Sequence, residues 1–295
     1  SSSLLIFFAA LGLFLGTLLP TTFAALGETR LPNRSYATGV TMQSLVAAIA
    51  NIAISVILLP RWGVRGIMLG LALLVVTGAI AVRTHPRRGV SKPACALHQD
   101  RIRRPGLHGA NARVPAMLAL VSIALLMGGI QGYWAFVERI GVSHGLAAGA
   151  VAATLSLCAV ASIVNSAVVA WIGDRMRAIS IIFVGTATVN LSFFLLTFPG
   201  IAPFVASNVL FASAFGLLVP SYWAVLKSVD ASERLFVAGP AAASAGAVVI
   251  SLLAGTVIRS GGYVGLTIFN GALTIFAALI VVIASAVLRR MGMGG

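Results

Sequence analysis

Charge is scarce in this 295-residue chain, and negative charge is almost absent. Charged residues make up 9% of the sequence, with 6 Asp and Glu against 20 Lys and Arg. Because soluble domains carry about a quarter charged residues, this composition excludes an ordinary soluble fold. Apolar residues reach 59%, and the mean hydropathy is +1.05. The sequence therefore predicts an integral membrane protein embedded in a lipid bilayer.

Side chains that carry chemistry are also few. The chain has 2 cysteines and 4 histidines, and its acidic residues form no cluster with them. This excludes a disulfide framework and gives no metal site. We predict no catalytic residue, no metal, no cofactor and no enzymatic activity. The net charge of +14 does not indicate a nucleic-acid partner, because the basic residues separate apolar runs instead of forming a patch on a soluble fold.

What the chain does have is apolar runs of membrane-spanning length, about 20 helical residues each. The runs lack the short alternating pattern of membrane strands, so we predict an all-α membrane fold. Four pairs of glycines have the spacing that lets two membrane helices approach closely: Gly12 and Gly16, Gly66 and Gly70, Gly128 and Gly132, and Gly145 and Gly149. We count nine transmembrane helices, at residues 4–26, 37–59, 64–82, 114–137, 146–171, 179–198, 202–226, 235–258 and 264–288.

The basic residues fall on alternate connections between these runs. Sixteen lie on one predicted side and four on the other, at Arg61, Arg65, Arg139 and Arg259. Because cytoplasmic loops retain Lys and Arg, the C-terminus and the basic segment 84–113 are expected in the cytoplasm. We expect the membrane to be the cytoplasmic (inner) membrane of a bacterium.

The segment 84–113 also divides the chain. It holds seven of the basic residues, three prolines and no apolar periodicity, so it is predicted to be a cytoplasmic linker. Three spans precede it, in residues 1–83, and six follow it, in residues 114–295. The chain also matches itself at an offset of 200 residues, where nine positions between 16 and 47 are identical, among them Pro20 with Pro220 and Arg34 with Arg234. Repeated halves are typical of secondary transporters.

The segment Trp171–Arg177 joins the second and third spans after the linker and contains Asp174 followed by Arg175. In this position it resembles the signature loop of the major facilitator superfamily (MFS), whose members have twelve helices in two six-helix bundles. The resemblance implies an MFS-like two-bundle fold with nine of the expected twelve helices present, as three plus six. The first three helices would then be missing from this chain. It also implies a monomer that moves a small-molecule substrate by alternating access.

Polar residues inside spans are the candidate solute contacts, because each is unfavourable in lipid without a partner or a water-filled cavity. Gln131, Trp134 and Glu138 have helical spacing and are predicted to share one face of the span 114–137. Glu138 is the candidate for coupling to a proton or a sodium ion, although it could instead be solvated at the outer boundary. The resemblance adds Gln43, Asn51, Asn165 and Asn208 in cavity-facing helices, unless they form interhelical hydrogen bonds. It places Asn190 and Asn270 at the periphery, so they are not counted.

Two further groups are candidate gating elements. Asp174 with Arg175, and the equivalent pair Arg34 and Arg234, are predicted to form a cytoplasmic latch, or else to be topological charges at the surface. Pro20 and Pro220 interrupt helical hydrogen bonding and are either hinges or static kinks.

The sequence thus favours a secondary active transporter of a small organic solute, without naming the solute or the direction of transport. The alternatives are a non-transporting scaffold or sensor with the same fold, and a nonfunctional fragment.

Overall fold

A computed structural model describes residues 59–84, 113–172, 176–230 and 234–290, with isolated positions between 38 and 57. Within these ranges the chain is helical and contains no strand, which confirms the all-α prediction for the part described. The helices are α1 Leu59–Thr84, α2 Arg113–Trp134, α3 Val137–Ser143, α4 Ala148–Ile172, α5 Ala178–Leu195, α6 Ile201–Val229 and α7 Arg234–Arg290.

Five of the described helices, α2, α4, α5, α6 and α7, are long and apolar enough to cross a membrane. The first four coincide, within a few residues, with the predicted runs between 114 and 226. Helix α7 contains the last two predicted runs and is broken between them at Gly262, whose φ of 63° and ψ of −162° are not helical. The count of nine spans stays a prediction. The run 4–26 lies outside the described residues, and the run 37–59 is described only at isolated positions. Helix α1, which contains the run 64–82, is not among the five candidate spans.

Helix α1 belongs to one structural unit, and helices α2–α7 belong to another. The predicted run 64–82 lies inside α1, which is broken near its start at Gly63. Leu69, Leu73, Val76 and Ile80 form an exposed apolar stripe along it. Such a stripe at helical spacing is what a helix presents to lipid or to a neighbouring helix. The predicted domain limits at 83 and 114 remain predictions.

Helix α6 is the central helix of the second unit. It packs against α2, α4, α5 and α7. Its buried residues include Phe204, Phe211, Leu218 and Leu226, none more than 1% exposed. In an 18-residue apolar stretch of α6, 67% of the residues are buried, whereas in the corresponding stretch of α4 the share is 28%. The polar side chains of α6 are therefore placed to link the helices that surround it.

Helices α2 and α7 meet through glycines. A Cβ atom on Gly128 would meet Ile250, and one on Gly246 would meet the backbone of Ala124. A Cβ atom on Gly132 would meet both Ile250 and Asn270, which lie on opposite sides of the break at Gly262. Both arms of α7 thus pack against α2.

The predicted close helix approach is confirmed at Gly128 and Gly132. It is wrong at Gly145 and Gly149, where a Cβ atom would meet no atom of the described residues within 4 Å. The pair Gly66 and Gly70 stays a prediction, and Gly12 and Gly16 lie outside the described residues.

The predicted single helix 114–137 is wrong at its end. Helix α2 stops at Trp134, and α3 begins at Val137. The amide of Phe136 donates to the carbonyl of Tyr133, three residues back, and Phe136 has a ψ of −2°, so the helix does not continue. Glu138 therefore lies on a separate short helix and does not share a continuous face with Gln131 and Trp134. The sequence carries no Gly or Pro at the turn to indicate this break.

Candidate functional site

A buried hydrogen bond joins α2 to α6. The hydroxyl of Tyr133 donates to Oδ1 of Asn208 at 2.8 Å, and Nδ2 of Asn208 donates to the carbonyl of Phe204 at 2.8 Å. Tyr133 is 0% exposed and Asn208 is 1% exposed. Both polar atoms of the Asn208 amide are used inside the bundle. Asn208 is therefore a structural link in this conformation, where it offers no polar atom to a solute.

Aromatic rings enclose this hydrogen bond. The ring of Tyr133 lies 4.4 Å from that of Phe211 and 5.5 Å from that of Phe193, between centroids. Trp134 packs edge-on against Phe211 at 5.7 Å. Such tilted and edge-on pairs add attraction beyond the apolar area they bury. They hold α2, α5 and α6 together around one polar contact.

A second hydrogen bond joins α4 to α6, and it is half-buried. Nδ2 of Asn165 donates to Oγ of Ser213 at 2.9 Å and to the carbonyl of Ala161 at 2.8 Å. Ser213 in turn donates to the carbonyl of Val209. Both bonds of Asn165 use its nitrogen, so its Oδ1 remains able to accept a hydrogen bond. This side chain is fixed in orientation and still has capacity for a ligand.

The predicted contacts on α2 and the predicted coupling acid lie in different surroundings. Gln131 is exposed, and Trp134 is half-buried against the aromatic rings. Glu138 is exposed and lines an open groove of about 490 Å³ together with Arg139, Val142, Ser143 and Tyr263. The guanidinium of Arg139 lies 5.9 Å from the ring centroid of Phe136. An acidic side chain, Glu138, and a basic side chain, Arg139, thus border this groove between α3 and the second arm of α7.

Four side chains connect the end of α6 to the start of α7, and we call them the clasp: Trp223, Lys227, Asp230 and Phe236. The carboxylate of Asp230 accepts a hydrogen bond from the amide of Phe236 at 2.7 Å and is buried. Lys227 Nζ lies 5.2 Å from the Phe236 ring centroid, and Trp223 packs edge-on against the same ring at 5.8 Å. A carboxylate at a helix N-terminus also interacts favourably with the helix dipole.

The clasp lies where the latch residue Arg234 was predicted. Arg234 is the first residue of α7, between Asp230 and Phe236 in sequence. Pro220 lies inside α6 and is buried. It leaves the carbonyl four residues earlier, that of Gly216, without its helical donor. The other predicted site residues lie outside the described residues: Pro20, Arg34, Gln43, Asn51, Asp174 and Arg175.

Sequence reasoning missed several residues that organise these contacts. It did not identify Tyr133, which bonds Asn208, or Ser213, which bonds Asn165. A tyrosine or a serine in an apolar run does not indicate its partner. Asp230 had a usable signal, since it follows Trp223 and Lys227 at helical spacing. Within the described ranges, no group of three or more His, Cys, Asp or Glu side chains is placed to hold a metal ion.

These observations define a polytopic α-helical membrane protein whose helices are joined by a few polar contacts. The family model described as Major Facilitator Superfamily matches residues 1–239 of the chain. The protein belongs to this superfamily, whose members are generally transporters and not enzymes. Family membership supports a transporter-type function and a location within a membrane. No curated protein matches the chain.

Proposed function

We propose that this protein is a secondary active transporter that moves a small organic solute across a membrane by alternating access. The observation that carries the proposal is the family match over residues 1–239. It is supported by polar side chains with unused hydrogen-bonding capacity on helices that are otherwise apolar. Such side chains in membrane helices mark substrate pathways, because they are unfavourable against lipid alone.

Asn165, Gln131 and Trp134 are the proposed solute contacts among the described residues. Asn165 has a fixed nitrogen and an available oxygen. Gln131 is exposed, and its amide can both donate and accept. Trp134, on α2 with Gln131, is half-buried and could stack on an aromatic or cationic group. Gln43 and Asn51 remain proposed contacts from the first half of the chain. Asn208 is removed from the set, because both of its polar atoms are engaged.

Glu138 is the proposed coupling acid for a proton or a sodium ion. No Asp or Glu lies within α2, α4, α5, α6 or α7. Glu138, exposed in its groove, is the acid that the described part of the chain places nearest to α2. In this proposal the groove faces outward, because the basic connections lie on the opposite, cytoplasmic side. The clasp then lies at the cytoplasmic end of α6 and α7.

The proposed gating elements are the clasp, the loop Asp174 with Arg175, and Arg34 with its counterpart Arg234. Pro20 and Pro220 are proposed hinges. When the two bundles rock, the charged contacts between helix ends would form in one state and separate in the other. We further propose that the protein works as a monomer in a bacterial cytoplasmic membrane.

The test is flux by the full chain in proteoliposomes under imposed proton or sodium gradients, with a broad panel of solutes. We expect one solute class to accumulate against its concentration. Gln131→Ala and Trp134→Ala should raise the KM for that solute. Glu138→Gln should abolish accumulation and preserve counterflow exchange, because exchange needs the site but no net coupling.

Three outcomes would contradict parts of this proposal. Solute binding without flux would favour a sensor or scaffold. Accumulation that is unchanged in Glu138→Gln would place the coupling group elsewhere. If neither binding nor flux occurs with any solute of the panel in a well-folded preparation, the result favours a nonfunctional fragment.

A further inference from the structure

The groove beside α3 lies at the level where two apolar runs end. Glu138 directly follows the predicted run 114–137, and Tyr263 directly precedes the predicted run 264–288. Helix α7 is broken at this level, at Gly262. In a membrane protein the ends of apolar runs lie at the boundary between the hydrocarbon core and the lipid head groups. The open groove is therefore placed where head groups of the bilayer can enter it.

The groove carries one acidic and one basic side chain, and both remain available. Glu138 and Arg139 are exposed, and no ion pair joins either of them to another residue within the described ranges. The guanidinium of Arg139 lies 5.9 Å from the ring centroid of Phe136, a contact that leaves its N–H groups able to donate to an anion. Two available charges of opposite sign fit a partner that carries both an anionic and a cationic group.

Two hydroxyl groups add hydrogen-bonding capacity to the same groove. Ser143 Oγ donates to the carbonyl of Ile140 at 2.8 Å, so its oxygen can still accept a hydrogen bond. Tyr263 is half-buried and contributes a phenol, a side chain that is enriched at membrane interfaces. The groove volume of about 490 Å³ lies within the range of small-ligand sites. The groove thus has room for a compact polar group.

An exposed apolar stripe runs along the second arm of α7 from beside the groove. Val264, Ile268, Ile275 and Leu279 are exposed, and their spacings of four, seven and four residues place them along one face of the helix. Such a face packs against lipid chains in a bilayer. A molecule with its polar end in the groove therefore has an apolar surface for its chains directly beside it.

We propose that the groove binds a phospholipid whose head group carries a phosphate and a primary ammonium. The guanidinium of Arg139 binds the phosphate, whose geometry it matches. The carboxylate of Glu138 binds the ammonium, which also donates to the Ser143 hydroxyl. A quaternary ammonium has the charge but no N–H group to donate, and a head group without an amine leaves Glu138 uncompensated. The site therefore selects the primary amine.

The bilayer makes modest affinity sufficient for occupancy. An exposed ion pair contributes little by itself, but lipid is present beside the groove at a high local concentration. In the transport proposal, the ammonium would compete with the coupling cation for Glu138. Lipid binding is measured without flux, so failure of either proposal leaves the other standing.

The test is native mass spectrometry of the full chain released from detergent micelles and titrated with three phospholipids that share the same acyl chains. Their head groups are ethanolamine, choline and glycerol. We expect the ethanolamine lipid to bind about fivefold more tightly than the choline lipid, because only its amine donates hydrogen bonds. The glycerol lipid should also bind more weakly than the ethanolamine lipid, since it lacks the amine.

Three variants assign the binding to the groove. Glu138→Gln should remove the preference for the ethanolamine lipid over the choline lipid, and Arg139→Gln should weaken binding of all three lipids through their phosphates. Arg259→Gln is the matched control and should change neither quantity. Arg259 is an exposed arginine on the same predicted side of the membrane that does not line the groove.

The proposal is overturned if the wild type binds the ethanolamine and choline lipids equally, or if Glu138→Gln retains the preference. It is also overturned if Arg259→Gln weakens binding as much as Arg139→Gln does, because the charge would then act without a defined site. Soluble phosphoethanolamine separates the two sources of the same head-group chemistry. If it binds as tightly as the ethanolamine lipid, the groove takes a soluble solute and not a lipid.

Discussion

Helix α6 makes a side-chain hydrogen bond to α2 and another to α4. Each bond joins an asparagine amide to a hydroxyl group, but the two bonds lie in different surroundings. Tyr133 with Asn208 is buried among aromatic rings, whereas Asn165 with Ser213 is half-buried at the side of the bundle. In the first pair both atoms of the Asn208 amide are used. In the second pair an amide oxygen remains available.

This difference separates two roles that a polar residue can have in a membrane helix. A polar side chain with every atom engaged contributes to helix association, typically by about 0.6 kcal/mol. One that is held by some atoms while others remain available is oriented for a ligand. The asparagine on the more buried helix is thus the structural one, and the asparagine on the less buried helix is the candidate for recognition.

The largest expected effect comes from Asn208→Leu. This change removes Asn208 Oδ1, to which the buried Tyr133 hydroxyl donates, and should lower the free energy of unfolding by about 1–3 kcal/mol. The measurement is denaturation in detergent micelles. The control is the double variant Tyr133→Phe with Asn208→Leu, in which both polar partners are gone and most of the stability should return. A double variant less stable than Asn208→Leu would contradict the structural role.

Asn165→Ala should produce the next largest effect, and on transport instead of stability. If Asn165 Oδ1 accepts a hydrogen bond from the solute, its loss should raise KM by up to about tenfold, equivalent to about 1.4 kcal/mol. Flux in proteoliposomes measures this. Ser156→Ala is the matched control, because Ser156 is exposed on the same helix and bonds to its own backbone. An unchanged KM would show that Asn165 has no contact with the solute.

The sequence predicted the helices well and their internal contacts poorly. The bilayer sets the length of each apolar run and keeps charged residues outside it. The described spans could therefore be located from the sequence within a few residues. The break after Trp134 depends on one backbone turn, which no breaker residue indicates. The break at Gly262 fell correctly between two predicted runs, because a glycine and a drop in apolar character coincide there.

The candidate site was less predictable, because hydrogen-bond partners come from distant parts of the chain. Asn165 and Asn208 looked equivalent in sequence, and only the packing of α6 separates them. Asn190 and Asn270 were set aside as peripheral by the resemblance, yet both lie against other helices of the bundle. A resemblance indicates which helix faces the cavity, but not which side of a helix a residue occupies.

Tyr133→Phe should have a smaller effect than Asn208→Leu on the same link. It leaves the buried Asn208 Oδ1 without its donor, but Nδ2 keeps its bond to the Phe204 carbonyl, which Asn208→Leu also removes. We expect a loss of about 1 kcal/mol in unfolding free energy, with KM unchanged. Denaturation and flux on the same preparation would check both. A raised KM would mean that Tyr133 becomes accessible to the solute during the transport cycle.

The smallest expected effect is that of Ser213→Ala, which tests how Asn165 is held. Ser213 accepts one of the two bonds from Asn165 Nδ2, while the bond to the Ala161 carbonyl remains. The amide should therefore keep its position in most molecules, so KM should rise by about two- to threefold, equivalent to roughly 0.5 kcal/mol. Flux measurements beside Asn165→Ala decide the outcome. If Ser213→Ala raises KM as much as Asn165→Ala does, the serine hydroxyl contacts the solute directly, and the recognition site extends onto α6.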